Sequence, residues 1–380
     1  MRGIIVGAGI GGLSTAIALR KHDIDVKVYE AATRLEAAGA GILVPPNALM
    51  VLDRYGLLKK VKESGVGLES LVICDNKGRK LSKTPAIYTK NGIQYQTIAL
   101  HRAELQNTLL SSLHADSVIT NKKCSNVIAS QSVVDVLFED GTSEIADFVI
   151  GADGINSQVR KSLFPTQKLR YSRQICWRGI SEIQLSPKWC KQLTEIWGRG
   201  IRFGFVPIGA SKVYWYATQV QGAVDLTNTS FVKGLLEATF KGFPDPVMEI
   251  IKQADSSKVI ESRISDLYPM ESWFSNTVAL IGDAAHASTP NIGQGGAQAI
   301  EDSWVLSSQM SNCDTLREAF ENFQKLRYSK VQKIVNSSWQ VGQVTNYKNR
   351  IACNIRNNVF RFVPNFVIKR QSRLLYDIPY

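Results

Sequence analysis

The stretch from Gly3 to Glu30 constrains the fold more than any other part of the chain. An apolar run, Gly3–Val6, leads into Gly7-Ala8-Gly9-Ile10-Gly11-Gly12, and Leu13–Arg20 follows with the apolar spacing of a helix. A β-rich run, Asp25–Tyr29, then ends on Glu30. Strand, glycine turn, helix, second strand and terminal acid together form a dinucleotide-binding pattern. Gly7 permits the tight turn, Gly9 lets backbone approach a pyrophosphate, and Gly12 lets helix and strand pack closely. Gly11 lies within the same turn, where the helix N-terminus offers unpaired N–H groups to phosphate oxygens. Glu30 is placed to accept hydrogen bonds from an adenosine ribose. A carboxylate there argues against a ribose 2′-phosphate, so FAD or NAD is the expected ligand of this turn.

The chain has 380 residues, enough for a large core and two or three domains. No stretch has the length and apolarity of an ordinary membrane span, and residues 3–19 lack a small-residue cleavage site, so a cytoplasmic protein is expected. Its six cysteines form no CxxC pair and its four histidines show no metal-ligand spacing, so neither a disulfide framework nor a metal site is expected. The formal charge of +12 is uneven: after Glu321 there are eleven Lys and Arg against a single acid, Asp377. No nucleic-acid recognition motif accompanies that excess, so nucleic acid is not an expected partner.

Further along, Ala37–Gly41 reads as a small flexible loop, and Pro45-Pro46 introduces a helix. Leu71–Ser82 and Val133–Ile145 read as hairpins, and Thr97–Leu100 as a strand before a helix at Ala103–Leu113. Phe148–Gly151 is a buried strand running into Asp153-Gly154. The chain is then β-rich and aromatic from Leu169 to about Val220, with helices at Phe231–Phe240 and Pro246–Ala254. A last buried strand, Val278–Ile281, runs into Gly282-Asp283, and long helices follow at Ala297–Met310 and Leu316–Val335.

Three separated motifs agree. They are the Gly7/Gly9/Gly12 turn with Glu30, the DGxxSxxR run Asp153–Arg160, and Gly282-Asp283 followed by Pro290-Asn291-Ile292-Gly293-Gln294-Gly295-Gly296. Their order and spacing resemble the single-component, class A FAD-dependent monooxygenases with the para-hydroxybenzoate hydroxylase fold. Within that group the chain looks nearest the salicylate hydroxylase, urate hydroxylase and zeaxanthin epoxidase branch. Trp177-Arg178-Gly179, the Gly198–Gly209 run and Leu375-Tyr376-Asp377 add to that impression.

The resemblance implies that Asp283 holds a ribityl hydroxyl of FAD and that Pro290 and Gly293–Gly296, with Gln294, pass beside the flavin ring. A helix beginning near Gly296 would set its positive end by the N1–C2=O edge of the flavin. Arg102, in an HRxxL pattern, would contact the FAD phosphates or ribityl chain. Asp153, Gly154 and Arg160 belong to the run associated with FAD and with NADPH or NADH. Each has a structural rival: a simple turn for Asp153-Gly154, a helix cap for Asp283, a structural role for His286, and core packing for Trp177, Trp215 and Tyr216.

The expected fold is α/β: a Rossmann-like FAD-binding domain (1–70, 101–168, 271–335) interleaved with a mostly β substrate domain (71–100, 169–270). A C-terminal helical segment (336–380) completes it, in a monomer or homodimer. By resemblance, NADPH or NADH visits transiently and reduces FAD. O2 then forms a C4a-hydroperoxide, and one oxygen atom passes to a small aromatic or heterocyclic substrate. An epoxidase, a tetracycline-inactivating hydroxylase, a flavin dehydrogenase or oxidase, and a non-catalytic FAD-binding module remain the alternatives. Arg202 and Tyr214 are the substrate-side candidates, because their spacing resembles a substrate-binding pair in the urate hydroxylases. Between Lys348 and Arg373, cations alternate with apolar residues. A helix docked by its apolar side, with Arg356 and Arg361 outward and an end at Pro364, is expected there. Weak contact with an anionic membrane surface is the sharper alternative.

Overall fold

The computed structural model describes residues 1–35, 40–221 and 232–378. Ala37–Gly39 of the expected loop and Phe231 of the expected helix lie outside them. The first strand, Arg2–Val6, is central to a six-stranded sheet. It pairs in parallel with Asp25–Tyr29 on one side and Phe148–Gly151 on the other, and the latter pairs in parallel with Val278–Leu280. Arg2–Val6, Phe148–Gly151 and Val278–Leu280 are almost wholly buried apolar runs, as a parallel sheet covered on both faces requires, while Asp25–Tyr29 alternates exposed Asp25 and Lys27 with buried Val26 and Val28. The helices Ile10–Arg20 and Gly295–Asn312 pack against each other beside it. The large core includes Ile4, Ile5, Leu13, Val149, Leu280, Ile300 and Phe320.

A second, seven-stranded sheet has strand order Ile260–Leu267, Leu169–Glu182, Lys212–Val220, Ile201–Pro207, Gln192–Trp197, Ser70–Asp75 and Lys80–Pro85. Alternation divides its residues between two faces. One face carries Trp177, Trp215, Phe203 and Phe205 into an apolar core with the helices Val232–Phe240 and Val247–Lys252. The opposite face carries Cys176, Arg178, Glu195, Arg202, Tyr214, Tyr216 and Thr218, and this chemically mixed surface borders the site below. Between the large sheets, Gly41–Val44, Ile98–His101 and Gly65–Gly67 form a small antiparallel sheet.

The hairpins expected at Leu71–Ser82 and Val133–Ile145 form as Ser70–Asp75 with Lys80–Pro85, which runs three residues past the expected end, and Val134–Phe138 with Ser143–Ala146. Pro46 opens the helix Pro46–Arg54 at a position where its missing N–H costs nothing. The helix Leu316–Thr345 is a single 30-residue element, so the expected division at 335/336 falls inside it.

The C-terminal region differs from the expected docking. It forms two helices, Arg350–Arg361 and Asn365–Tyr376, separated at Pro364 as expected. Arg356, however, faces inward. Its guanidinium lies 5.2 Å from the Trp197 ring centroid and donates to the Gly198 carbonyl at 3.2 Å. Ile351, Ile355, Val359, Phe362 and Phe366 are the exposed side chains. The helix has two apolar stripes, and Cys353 and Phe360 make the docked one, Phe360 standing edge-on to Trp197 at 4.6 Å.

Candidate active site

The glycine turn has the sterics its sequence demanded. Gly7 adopts φ +103°, and a Cβ on Gly12 would stand 1.9 Å from the Gly7 carbonyl oxygen, so only glycine closes this corner. A Cβ on Gly9 would meet nothing within 4 Å, which leaves that backbone open to a ligand. A Cβ on Gly11 would instead stand 3.2 Å from Ala299, where the two helices meet. Glu30 accepts from the Ala8 N–H at 2.7 Å and the Ala32 N–H at 2.9 Å. It thus ties the turn to the second strand while each oxygen keeps lone pairs for a ribose hydroxyl.

Asp153 and Arg160 both make protein contacts. Asp153 Oδ2 accepts from the N–H groups of Gln158 (2.6 Å) and Val159 (3.2 Å), capping the helix Gln158–Leu163 together with Ser157. Asp153 Oδ1 is buried with no partner among the described residues, an acceptor suited to a ligand hydroxyl. Gly154 adopts φ +76°. Arg160 is buried and donates to the carbonyls of Ala284 and Ile155, so it clamps this turn onto the Asp283 segment.

Asp283 opens the short helix Asp283–His286, whose N-cap is Gly282 at φ +53°; the carboxylate itself is not the cap. The side chain is open to the groove, with Oδ1 near the backbone of Gly295. Enclosure by the surrounding protein raises its carboxyl above the usual range, against the opposing pull of His286, Arg102 and Arg160. Arg102 starts the helix Arg102–Leu110, is exposed, and makes no side-chain hydrogen bond to a described residue. Pro290–Ile292 forms one tight turn, Gly293 takes a left-handed φ of +65°, and the 18-residue helix starts at Gly295. Gly293, Gly295 and Gly296 leave a small, backbone-lined rim beside Leu43 and Ile42.

Gln294 points the other way, into a buried network that sequence reasoning did not anticipate. Its Oε1 accepts from Asn47 at 3.1 Å and Gln298 at 2.9 Å. Below it, Arg327 donates to both Glu301 and Asp302, Lys330 pairs with Glu301, and Asn47 donates to Glu301. Asp302 Oδ2 accepts from the Gly282 N–H at 2.9 Å and lies 2.7 Å from His286 Nε2. Burial alone would raise the Asp302 carboxyl, but His286 and Arg327 hold it down to about 2. It is therefore ionised, and His286 Nε2 must be the donor. His286 is thus a structural partner, packed on Trp273 at 4.8 Å. The network fixes the Asp283 turn to the helix Gly295–Asn312.

The two substrate-side candidates share one sheet face but have different surroundings. Arg202 is 2% exposed and fully engaged: Nη2 donates to Asn291 at 2.6 Å, Nε to Thr218 at 3.2 Å, and Nη1 reaches Glu195 at 3.4 Å. Asn291 in turn donates to Thr289 and to the Ser338 carbonyl. Arg202 thereby bolts the sheet to the Pro290–Gly296 turn. Tyr214 is half-buried, its ring so close to Gly41 that a Cβ there would stand 2.3 Å away. Burial pushes its hydroxyl well above the usual tyrosine range, so it remains a donor at neutral pH. Arg178, opposite Tyr216 in the register, has no carboxylate partner among the described residues and influences Tyr214 directly. Arg178 was not among the expected site residues; its strand position, alternating with buried Trp177 and Gly179, is the signal that could have placed it on this face.

A family model described as an FAD binding domain matches residues 1–338. The chain is 32% identical to the aurachin C monooxygenase/isomerase of Stigmatella aurantiaca, covering 97% of this chain and 96% of that one. It is 31% identical to a 2-heptyl-3-hydroxy-4(1H)-quinolone synthase of Pseudomonas aeruginosa, over 98% and 97% respectively. Among solved structures, HpxO of Klebsiella pneumoniae, complexed with FAD and uric acid, superposes with a TM-score of 0.89. That match has 26% identity and covers 100% of this chain and 97% of that one.

Proposed function

The chain belongs to the FAD-binding-domain family of FAD-dependent monooxygenases, and from that premise we propose that it uses NADPH or NADH and O2 to place one oxygen atom on an oxo- or hydroxy-substituted heteroaromatic ring. The residues fit the cofactor. The open backbone at Gly9, the partly free Glu30 carboxylate and the partnerless Asp153 Oδ1 would hold the adenosine and phosphate half. Asp283, Arg102 and the rim Gly293–Gly296 would hold the ribityl chain and ring. When bound, FAD supplies the redox chemistry, taking two electrons from the nicotinamide so that O2 delivers one oxygen atom to the substrate and one to water.

The observation that carries the substrate class is the meeting of Tyr214 and Arg178 on the sheet face bordering Gly41. A protonated tyrosine hydroxyl and a guanidinium with no carboxylate partner among the described residues are donors for a ring oxygen. Arg202, neutralised by Glu195, positions the Asn291 turn. The positive end of the helix Gly295–Asn312 favours negative charge beside its first turn. Packing of the Gly41 strand on Tyr214 restricts water at the reacting face. Quinolone-type rings, which appear in the name of one relative, meet these requirements.

The test is NADPH and NADH oxidation by the FAD-loaded protein against an alkyl-4(1H)-quinolone, urate and salicylate. The proposal expects a quinolone-type ring to stimulate oxidation and to gain one oxygen atom. Desaturated product without added oxygen would instead indicate a dehydrogenase. Oxidation indifferent to every ring would refute the substrate class.

A further inference from the structure

The helices Arg350–Arg361 and Asn365–Tyr376 leave a surface unlike the rest of the protein. Ile351, Ile355, Val359 and Phe362 recur at the spacing of one helical stripe, and Phe366 follows on the next helix. These five side chains are between 59% and 76% exposed. Single exposed apolar residues are ordinary, but a continuous stripe on one element marks a contact surface. The opposite side of the first helix is fixed by Cys353, Arg356 and Phe360, so rotation cannot bury the stripe without breaking the Trp197 contacts.

Charge selects the occupant. Lys348, Arg350, Arg361, Arg370 and Arg373 are exposed on the same two helices and their approach, and no acid occurs in the sequence between Glu321 and Asp377. A second copy meeting this surface across a two-fold axis would set the cations against themselves. An anionic lipid surface satisfies both the apolar stripe and its cationic border. No described helix is long and apolar enough to cross a membrane, so any such contact lies in the interface.

We propose that the stripe Ile351–Phe366 seats the protein on anionic lipid bilayers. Phe360 and Arg356 rest on Trp197, which pairs with Arg202 in the strand register, so the docked helix lies on the same face of the sheet as Arg202 and Tyr214. The proposal does not depend on the identity of the substrate.

The test is co-sedimentation of the FAD-loaded full chain with phosphatidylglycerol–phosphatidylcholine vesicles and with pure phosphatidylcholine vesicles, at low and moderate salt. Binding to the mixed vesicles should exceed binding to the neutral ones by at least about tenfold, and should fall by as much in an Ile355→Glu, Phe362→Glu double variant. Unchanged circular dichroism and FAD content would show that the variant remains folded. Failure to bind anionic vesicles at low salt, or undiminished binding by the double variant, would overturn the proposal. So would a dimer, seen by sedimentation velocity, that the same substitutions dissolve.

Discussion

Arg327 and Arg202 are both buried, and their surroundings separate the cofactor half of the molecule from the substrate half. Arg327 lies between Glu301 and Asp302, with Lys330 completing a balanced set of two acids and two bases. Arg202 meets one carboxylate, at 3.4 Å, and otherwise neutral oxygens on Thr218 and Asn291. The first arrangement is an ionic core beneath the Asp283 turn, where losing one member strands charge in a low dielectric. The second is a hinge-like bolt between a sheet and a turn, where losing one bond leaves partners that have other hydrogen bonds. The cofactor platform is therefore the more brittle of the two.

Arg327→Met is the most severe way to test that contrast. It should destabilise the protein by about 3–5 kcal/mol, because Glu301 and Asp302 lose a buried cation; urea denaturation would measure it. Restoring stability by also replacing Glu301, Asp302 and Lys330 with apolar residues, so that no charge is left stranded, would sharpen the point. Stability close to that of the unaltered protein would break it.

Acid should expose the same network by another route. The Asp302 carboxyl is held down to about 2 in the folded protein, below its unfolded value of about 3.9. Its contribution is thus fully present above about pH 4 and is lost as pH falls through about 2, on the order of 2–3 kcal/mol. Asp302→Asn should flatten that part of the stability–pH curve, measured by urea midpoints across the acid range. An unchanged acid limb in the variant would assign the loss to other carboxylates.

On the ligand side, Asp283→Ala should weaken FAD binding by about 1.5–3 kcal/mol, the worth of one hydrogen bond to a charged group, without loss of secondary structure. Flavin fluorescence titration of the stripped protein reads this directly. The smallest effects belong to the substrate face. Arg178→Met should raise KM by roughly tenfold or more, one charged hydrogen bond. Arg202→Gln should cost about 1 kcal/mol of stability and lower kcat through a displaced Asn291 turn. A large KM effect from Arg202 and none from Arg178 would exchange their roles.

What could be read from sequence follows the range of the interactions. Gly7 and Gly12 were legible because their constraint is local: a positive φ and a carbonyl one turn away. FAD as cofactor and the monooxygenase family followed from three motifs whose spacing survives in one dimension. The work of Arg160 was not legible, since its partner carbonyl on Ala284 lies 124 residues away. The Glu301–Asp302–Arg327 core joins neighbouring helices that read individually as ordinary amphipathic elements. The C-terminal helix was expected in the wrong orientation because its sequence carries two apolar stripes. Only the partner surface at Trp197 decides that Cys353 and Phe360 dock while Ile351, Ile355 and Val359 remain outside.

The measurement closest to the central claim is the fate of molecular oxygen. FAD-loaded protein, a nicotinamide cofactor and a stimulating heteroaromatic substrate would be incubated under oxygen-18 gas, with product mass and cofactor consumption followed together. The account predicts one labelled oxygen atom per product and one nicotinamide oxidised for each. Product carrying only solvent oxygen, or cofactor oxidation matched entirely by hydrogen peroxide, would contradict it.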